Sequence, residues 1–167
     1  MIEIQQKSVN EQVVFFKEKD IVVYVKREDR LHEEVSGNKF RKLKYNLIEA
    51  RSMGYKKLLT FGGAYSNHIA AVAAVGKACD FATIGVIRGE ELKEVFLENP
   101  TLKKATENGM KFKFVSRAEY RQKDQEYFID ELKKEYKDFY LIPEGGTNNL
   151  AVKGCEEILT EIGRAHV

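Results

Sequence analysis

The chain has 167 residues, with 28 Lys+Arg against 26 Asp+Glu, 43% hydrophobic residues, 12 Gly, 2 Pro and no Trp. That length suits one domain or a tight pair of small ones. The apolar fraction, with a net charge of +2, excludes a disordered chain, a collagen-like fibre and a global field for nucleic acid. The longest apolar stretch, residues 69–75, falls far short of the roughly 20 residues of a membrane span, so no membrane partner is expected.

The opening MIEIQQKSVNEQ lacks the basic start and apolar run of a secretory signal. Cys79 and Cys155 lie outside any metal-ligand or CxxC spacing. Both are expected to be ordinary buried thiols, with no metal site, in a reducing cytoplasm.

In chain order, residues 20–26 (DIVVYVK) read as a short β-branched and aromatic strand running into a polar loop. An amphipathic helix follows, in which Phe40, Leu43, Leu47 and Ala50 recur at spacings of three and four. Asn38 or Ser36 is its expected N-cap and Gly54 its stop. Short apolar runs then alternate with helical stretches: strands at 58–61, 82–87, 111–115 and 139–142, and helices at 66–79, 100–108, 124–137 and from 150 to 159. The strand starts fall 24 to 29 residues apart, the period of βα units in a parallel sheet, so the predicted fold class is α/β. The alanine-rich helix at 66–79 has almost no polar face and should be buried on most sides. In the helix at 124–137, Tyr127, Phe128, Leu132 and Tyr136 form a stripe expected to be core.

Lys39, in S-G-N-K-F-R-K, stands in the first turn of a helix against the positive end of its dipole, with Arg41, Lys42 and Lys44 adding like charge. Both effects favour a neutral, nucleophilic amine. The competing reading is a solvated basic helix face. At 58–68 a buried strand, a Gly62–Gly63 turn and Ser66-Asn67-His68 open the alanine helix. Glycines let a ligand approach the backbone, and a helix start offers unpaired N–H groups to a carboxylate or phosphate. Ser66 as a plain N-cap beside two surface polar residues is the bland alternative. Neither G-x-G-x-x-G nor G-x-x-x-x-G-K-[ST] occurs, so dinucleotide and P-loop binding lose their main support. P-E-G-G-T-N-N at 143–149 repeats the strand, glycine, polar-helix order, either as a second wall of the same site or as a left-handed turn with Asn caps.

The motifs S-G-N-K-F-R-K-L-K-Y at 36–45, T-F-G-G-A-Y-S-N-H-I-A-A-V-A-A at 60–74 and I-P-E-G-G-T-N-N-L-A-V-K-G at 142–154 resemble the 1-aminocyclopropane-1-carboxylate deaminase / D-cysteine desulfhydrase family. The resemblance covers most of the chain up to about residue 159 and implies a pyridoxal 5'-phosphate enzyme of the tryptophan synthase β-like fold, fold type II. On it, Lys39 is the Schiff-base lysine and proton shuttle, Asn67 meets the cofactor's phenolic oxygen, and Ser66, Asn67 and His68 receive a small amino-acid substrate. Ser66 is thus a second catalytic candidate. His68 stands where desulfhydrases carry His and deaminases Gln, which implies β-elimination from D-cysteine to pyruvate, ammonia and sulfide. Tyr65 departs from the Gln of both groups, and His68 as a structural helix-start residue competes with that role.

Family members are roughly twice as long, so the resemblance implies a truncated chain, a homodimer only at full length. Residues 1–53 would be an incomplete part of the large cofactor-binding domain, 54–145 the small domain, and 146–160 the start of the return to the large one. The missing half would hold the phosphate loop and the partner of the pyridine nitrogen, and a chain without it is expected to be inactive. The string at 162–167 back-translates into a sequencing-adapter string, which makes 161–167 an expected non-native tail. Without the rest of the large domain, Leu43, Leu47 and the strand at 21–25 are expected to be exposed or repacked. Deaminase activity on 1-aminocyclopropane-1-carboxylate, a non-enzymatic module binding a small anion at Ser66, and a domain docking an acidic partner on its basic helix 39–44 are the competing functions.

Overall fold

The computed structural model of the chain describes residues 7–35 and 37–163. The chain begins with an antiparallel hairpin of β1 (Asn10–Phe16) and β2 (Ile21–Lys26), with a bulge between Gln12 and Val14. Helix α1 (Asn38–Ser52) follows, and then β3 (Lys57–Gly62), α2 (Asn67–Ala78), β4 (Ala82–Arg88), α3 (Pro100–Glu107) and β5 (Lys111–Val115). The chain closes with α4 (Arg117–Tyr120), α5 (Glu126–Tyr136), β6 (Tyr140–Ile142) and α6 (Asn149–Ile162). Strands β3 to β6 form one parallel sheet in the order β5-β4-β3-β6. The expected α/β class with βα units is therefore the observed one.

The pleat sends alternate side chains of the sheet into two cores. Leu58, Ile87, Tyr140 and Ile142 pack with α1, α2 and α3 on one face, whereas Leu59, Phe61, Ile84, Val86 and Val115 meet Tyr120, Phe128 and Leu132 on the other. Two glycines set how closely the layers approach. A Cβ on Gly76 of α2 would lie 2.2 Å from Thr83 Cγ2 of β4, and one on Gly154 of α6 would lie 2.0 Å from the Arg41 carbonyl of α1. The alanine-rich α2 is buried continuously from Ala71 to Gly76, as its composition requires.

Several expectations need correction. Leu43 and Leu47 are buried, because Leu31 and Val35 of the preceding loop and Val72 of α2 join them in one core. Residues 21–25 are exposed as expected, but as half of a hairpin whose strand β1 the sequence reading did not identify. Gly37, with φ +61°, caps α1 without a side-chain bond in place of Asn38; Ser36 lies outside the described residues. Tyr127 points to solvent while Phe128 and Leu132 carry the α5 core face; Cys79 is buried but Cys155 only half-buried, both thiols being free. The short α4, with its Ser116–Glu119 capping box, was also unforeseen. Residues 164–167 of the expected non-native tail lie outside the described residues. Glu161 lies within α6 and pairs with Arg41 and Lys26. Among the described residues no helix is long and apolar enough to cross a membrane.

Candidate active site

The strand order places a site before any side chain is considered. From β3 the chain winds outward through β4 to β5, then returns to put β6 on the other side of β3. The connections leaving β3 and β6 therefore part at the carboxyl edge of the sheet, the crevice where open parallel sheets bind ligands. The two glycine segments singled out in the sequence, 62–68 and 143–149, are those connections.

After β3 the chain must reverse within four residues. A Cβ on Gly62 would stand 2.5 Å from Ile69 Cγ1, so only glycine lets the first turn of α2 close over the strand end. Ser66 caps α2, its Oγ accepting from the Ile69 N–H at 3.4 Å. The N–H groups of Asn67 and His68 remain at the helix start, where the dipole favours an anion. Asn67 is exposed, Ser66 is half-buried and His68 is 2% exposed, so the three consecutive polar residues occupy three different environments.

After β6, Gly145 and Gly146 both take φ +68°, and Asn148 caps α6 by accepting from the Ala151 N–H at 2.9 Å. Asn148 and Asn46 of α1 exchange hydrogen bonds of 2.7 and 3.2 Å, which hold this turn against α1. The segment is thus a left-handed turn with an Asn cap, and it also faces α1. Lys39 Nζ donates to the Gly145 carbonyl at 3.4 Å. Lys42 Nζ reaches the same carbonyl at 3.4 Å and Thr147 Oγ1 at 2.9 Å. On its other side the turn meets His68: a Cβ on Gly146 would lie 3.1 Å from His68 Cε1 and 3.4 Å from Nδ1.

Burial first, and the Lys42 charge second, lower the Lys39 amine below the ordinary lysine range. Of the like charges expected to act on Lys39, only Lys42 does so. Arg41 is buried with Glu28, Glu157 and Glu161 around its guanidinium, and Lys44 pairs with Glu157 at 2.6 Å. Those two cations are neutralised on the far side of α1, whereas Lys39 has no carboxylate partner among the described residues. His68 is held neutral, its pKa lowered to about 3 by burial and then by the Lys39 and Lys42 charges, against the pull of the Pro143 carbonyl. Its Nε2 lies 2.8 Å from Thr60 Oγ1, which also bonds the Ile142 carbonyl at 2.8 Å. Sequence reasoning missed Thr60. A polar residue in the apolar run 58–61 was the available signal.

No protein-family model matches the chain. It is 31% identical over 150 residues to a Pyrococcus abyssi protein provisionally named 1-aminocyclopropane-1-carboxylate deaminase, covering 87% of this chain and 44% of that protein. A bifunctional D-cysteine desulfhydrase/1-aminocyclopropane-1-carboxylate deaminase of Arabidopsis thaliana mitochondria is 32% identical over 148 residues, covering 84% of this chain and 36% of that one. The crystal structure of an ACC deaminase homologue superposes with a TM-score of 0.76 at 28% identity, over 98% of this chain and 50% of that chain. The chain thus spans half or less of the length of the proteins it matches.

Proposed function

Because the chain belongs to the 1-aminocyclopropane-1-carboxylate deaminase / D-cysteine desulfhydrase family, we propose that the whole protein of which it forms part is a pyridoxal 5'-phosphate enzyme acting on a small amino acid. Its fold is that of fold-type-II enzymes, of which it carries about half a chain. The observation that carries the reading is the environment of Lys39: an amine with lowered proton affinity, lacking a carboxylate partner among the described residues and facing the crevice at the Gly145 carbonyl. That donor set suits a carbonyl cofactor, which needs an unprotonated amine.

Lys39 would hold pyridoxal 5'-phosphate, with Asn67 beside its ring oxygen. When bound, the cofactor supplies an electron sink for the carbon next to the substrate's amino group. The chain's own residues would do the rest. The N–H groups opening α2, with Ser66, orient the substrate carboxylate; Lys39 carries a proton to and from that carbon; Lys42 keeps the Lys39 proton labile; neutral His68 adds no competing charge. D-cysteine is the favoured substrate, through His68 at the third polar position, with pyruvate, ammonia and sulfide as products. The division into a large-domain part at 1–53, a small domain at 54–145 and a return from 146 belongs to this reading, as do a homodimer at full length and a cytoplasmic location. Inactivity of the 167-residue chain by itself belongs to it as well.

Reductive trapping tests it. The chain is incubated with pyridoxal 5'-phosphate, reduced with borohydride and digested, and the modified peptide is identified by mass. Modification concentrated on Lys39 and lost in Lys39→Ala supports the reading. Label spread evenly over Lys39, Lys42 and Lys44, or unchanged in Lys39→Ala, overturns it. In a chain extended to its relatives' length, sulfide release from D-cysteine assigns the desulfhydrase reaction. A 2-oxo acid from 1-aminocyclopropane-1-carboxylate without sulfide from D-cysteine assigns the deaminase.

A further inference from the structure

Thr60 lies at the centre of β3, fully buried on the face that packs against α1 and α2 and directly opposite Ile142 of β6 in the ladder. Its hydroxyl makes two contacts of 2.8 Å, one to the Ile142 carbonyl and one to His68 Nε2. A hydroxyl has one proton, and a carbonyl oxygen has none. Both contacts are hydrogen bonds only if Thr60 donates to Ile142 and His68 donates to Thr60. The proton of the neutral imidazole is thereby assigned to Nε2.

The consequence falls on the other ring nitrogen. Nδ1 is buried and makes no hydrogen bond of good geometry among the described residues, and the Pro143 carbonyl is the one acceptor that competes with Thr60 for a ring proton of His68. It lies against Gly146, whose neighbour Gly145 carries the carbonyl that receives Lys39. Leaving a buried acceptor unpaired costs roughly 1–3 kcal/mol, so such an atom beside a crevice points to a partner.

We propose that Thr60 is a positioning residue of the site: it fixes His68 as the Nε2–H tautomer, so that Nδ1 is a standing acceptor for an N–H of the Lys39 amine reaching the crevice beside Gly146. This deepens the cofactor reading and rests on it only for the use made of Lys39, since the tautomer is a property of the chain alone. No bond is made or broken; Nδ1 accepts a hydrogen bond, and the proton stays on nitrogen. A Thr60 that merely filled space would be indifferent to which nitrogen carries the proton.

The test is long-range ¹H–¹⁵N correlation spectroscopy of the histidines in the isotope-labelled chain. For His68 it should show a protonated Nε2 and a bare Nδ1. Thr60→Val, which keeps the branched shape without the hydroxyl, should lose the single-tautomer signature, and Thr60→Ser should restore it. Lys39→Ala should shift the Nδ1 resonance and leave Nε2–H in place. A wild-type His68 that carries its proton on Nδ1 overturns the assignment, whether or not Thr60→Val folds. A folded Thr60→Val with the wild-type signature overturns the role of Thr60, and an Nδ1 resonance unmoved in Lys39→Ala overturns the acceptor role. Failure of reductive trapping at Lys39 with the Nε2–H tautomer intact would reject the cofactor reading and leave this one standing.

Discussion

Gly154 of α6 lies so close to Arg41 of α1 that a Cβ added to it would sit 2.0 Å from the Arg41 carbonyl oxygen. The two helices cross at a glycine, and the crossing holds the turn at 143–148 against the first two turns of α1. Gly154→Ala would force the helices apart, a backbone clash that no rotamer change can relieve. The expected cost is about 1–3 kcal/mol in urea unfolding. Reductive trapping at Lys39 should fall with it, because Lys39 and the Gly145 carbonyl would separate. An Ala variant as stable as the parent would show that this crossing is loose.

Arg41 has a buried guanidinium that joins Glu28, Glu157 and Glu161, at 2.9, 3.3 and 2.7 Å. Arg41→Met would leave three carboxylates together with, among the described residues, only Lys26 and Lys44 paired to them, a loss of roughly 3–5 kcal/mol. In the parent, the bond to Arg41 holds Glu161 below the usual carboxylate range, so its stabilisation is present at neutral pH and fades as pH falls through the folded value. The variant's deficit should therefore be larger at pH 8 than at pH 4.5. Equal deficits at both would mean the carboxylates do not feel one another.

His68 carries a pH signature of the opposite chemical kind. In the unfolded chain it takes up a proton near 6.5, but in the folded chain only near 3, because burial opposes the charge. Between those values the unfolded state binds more protons, so stability rises with pH and is lost as pH drops from 6.5 toward 3. The slope for one such group approaches about 1.4 kcal/mol per pH unit. Urea unfolding at pH 4.5 and 6 should show the parent losing more stability than His68→Gln over that interval. Parallel losses in both would exclude His68 as the source.

The β1–β2 hairpin exposes Val14, Phe15, Phe16 and Ile21 through Val25 on both faces, and β2 enters neither core. Hydrogen exchange should therefore open its amides at least about 100-fold faster than those of α2. Amides of α1 should behave like α2, since Leu43 and Leu47 belong to the same core as Val72. Equal protection of hairpin and α2 would mean that the hairpin is covered in solution.

Local chemistry made much of this legible. The short apolar runs of the strands, their spacing of 24 to 29 residues, and the recurrence of three and four in α1 located β3 to β6 and the main helices to within a few residues. Lys39, Ser66, Asn67 and His68 were visible as a polar cluster at helix starts, because backbone N–H groups and side-chain chemistry are written locally. The strand β1 was not legible: Asn10–Phe16 has its partner in β2, and pairing is not a property of either strand alone.

By itself, the sequence determined the α/β class, the two glycine turns and the amine at the start of α1, since each follows from residues within one or two turns of chain. Only the tertiary structure decided which charges act on Lys39, by drawing Arg41 and Lys44 into carboxylates 113 to 120 residues away and leaving Lys42 in place. It alone joined Thr60, His68 and Ile142, because an imidazole, a hydroxyl and a carbonyl form a hydrogen-bonded chain only when sheet register and helix packing bring them within 3 Å.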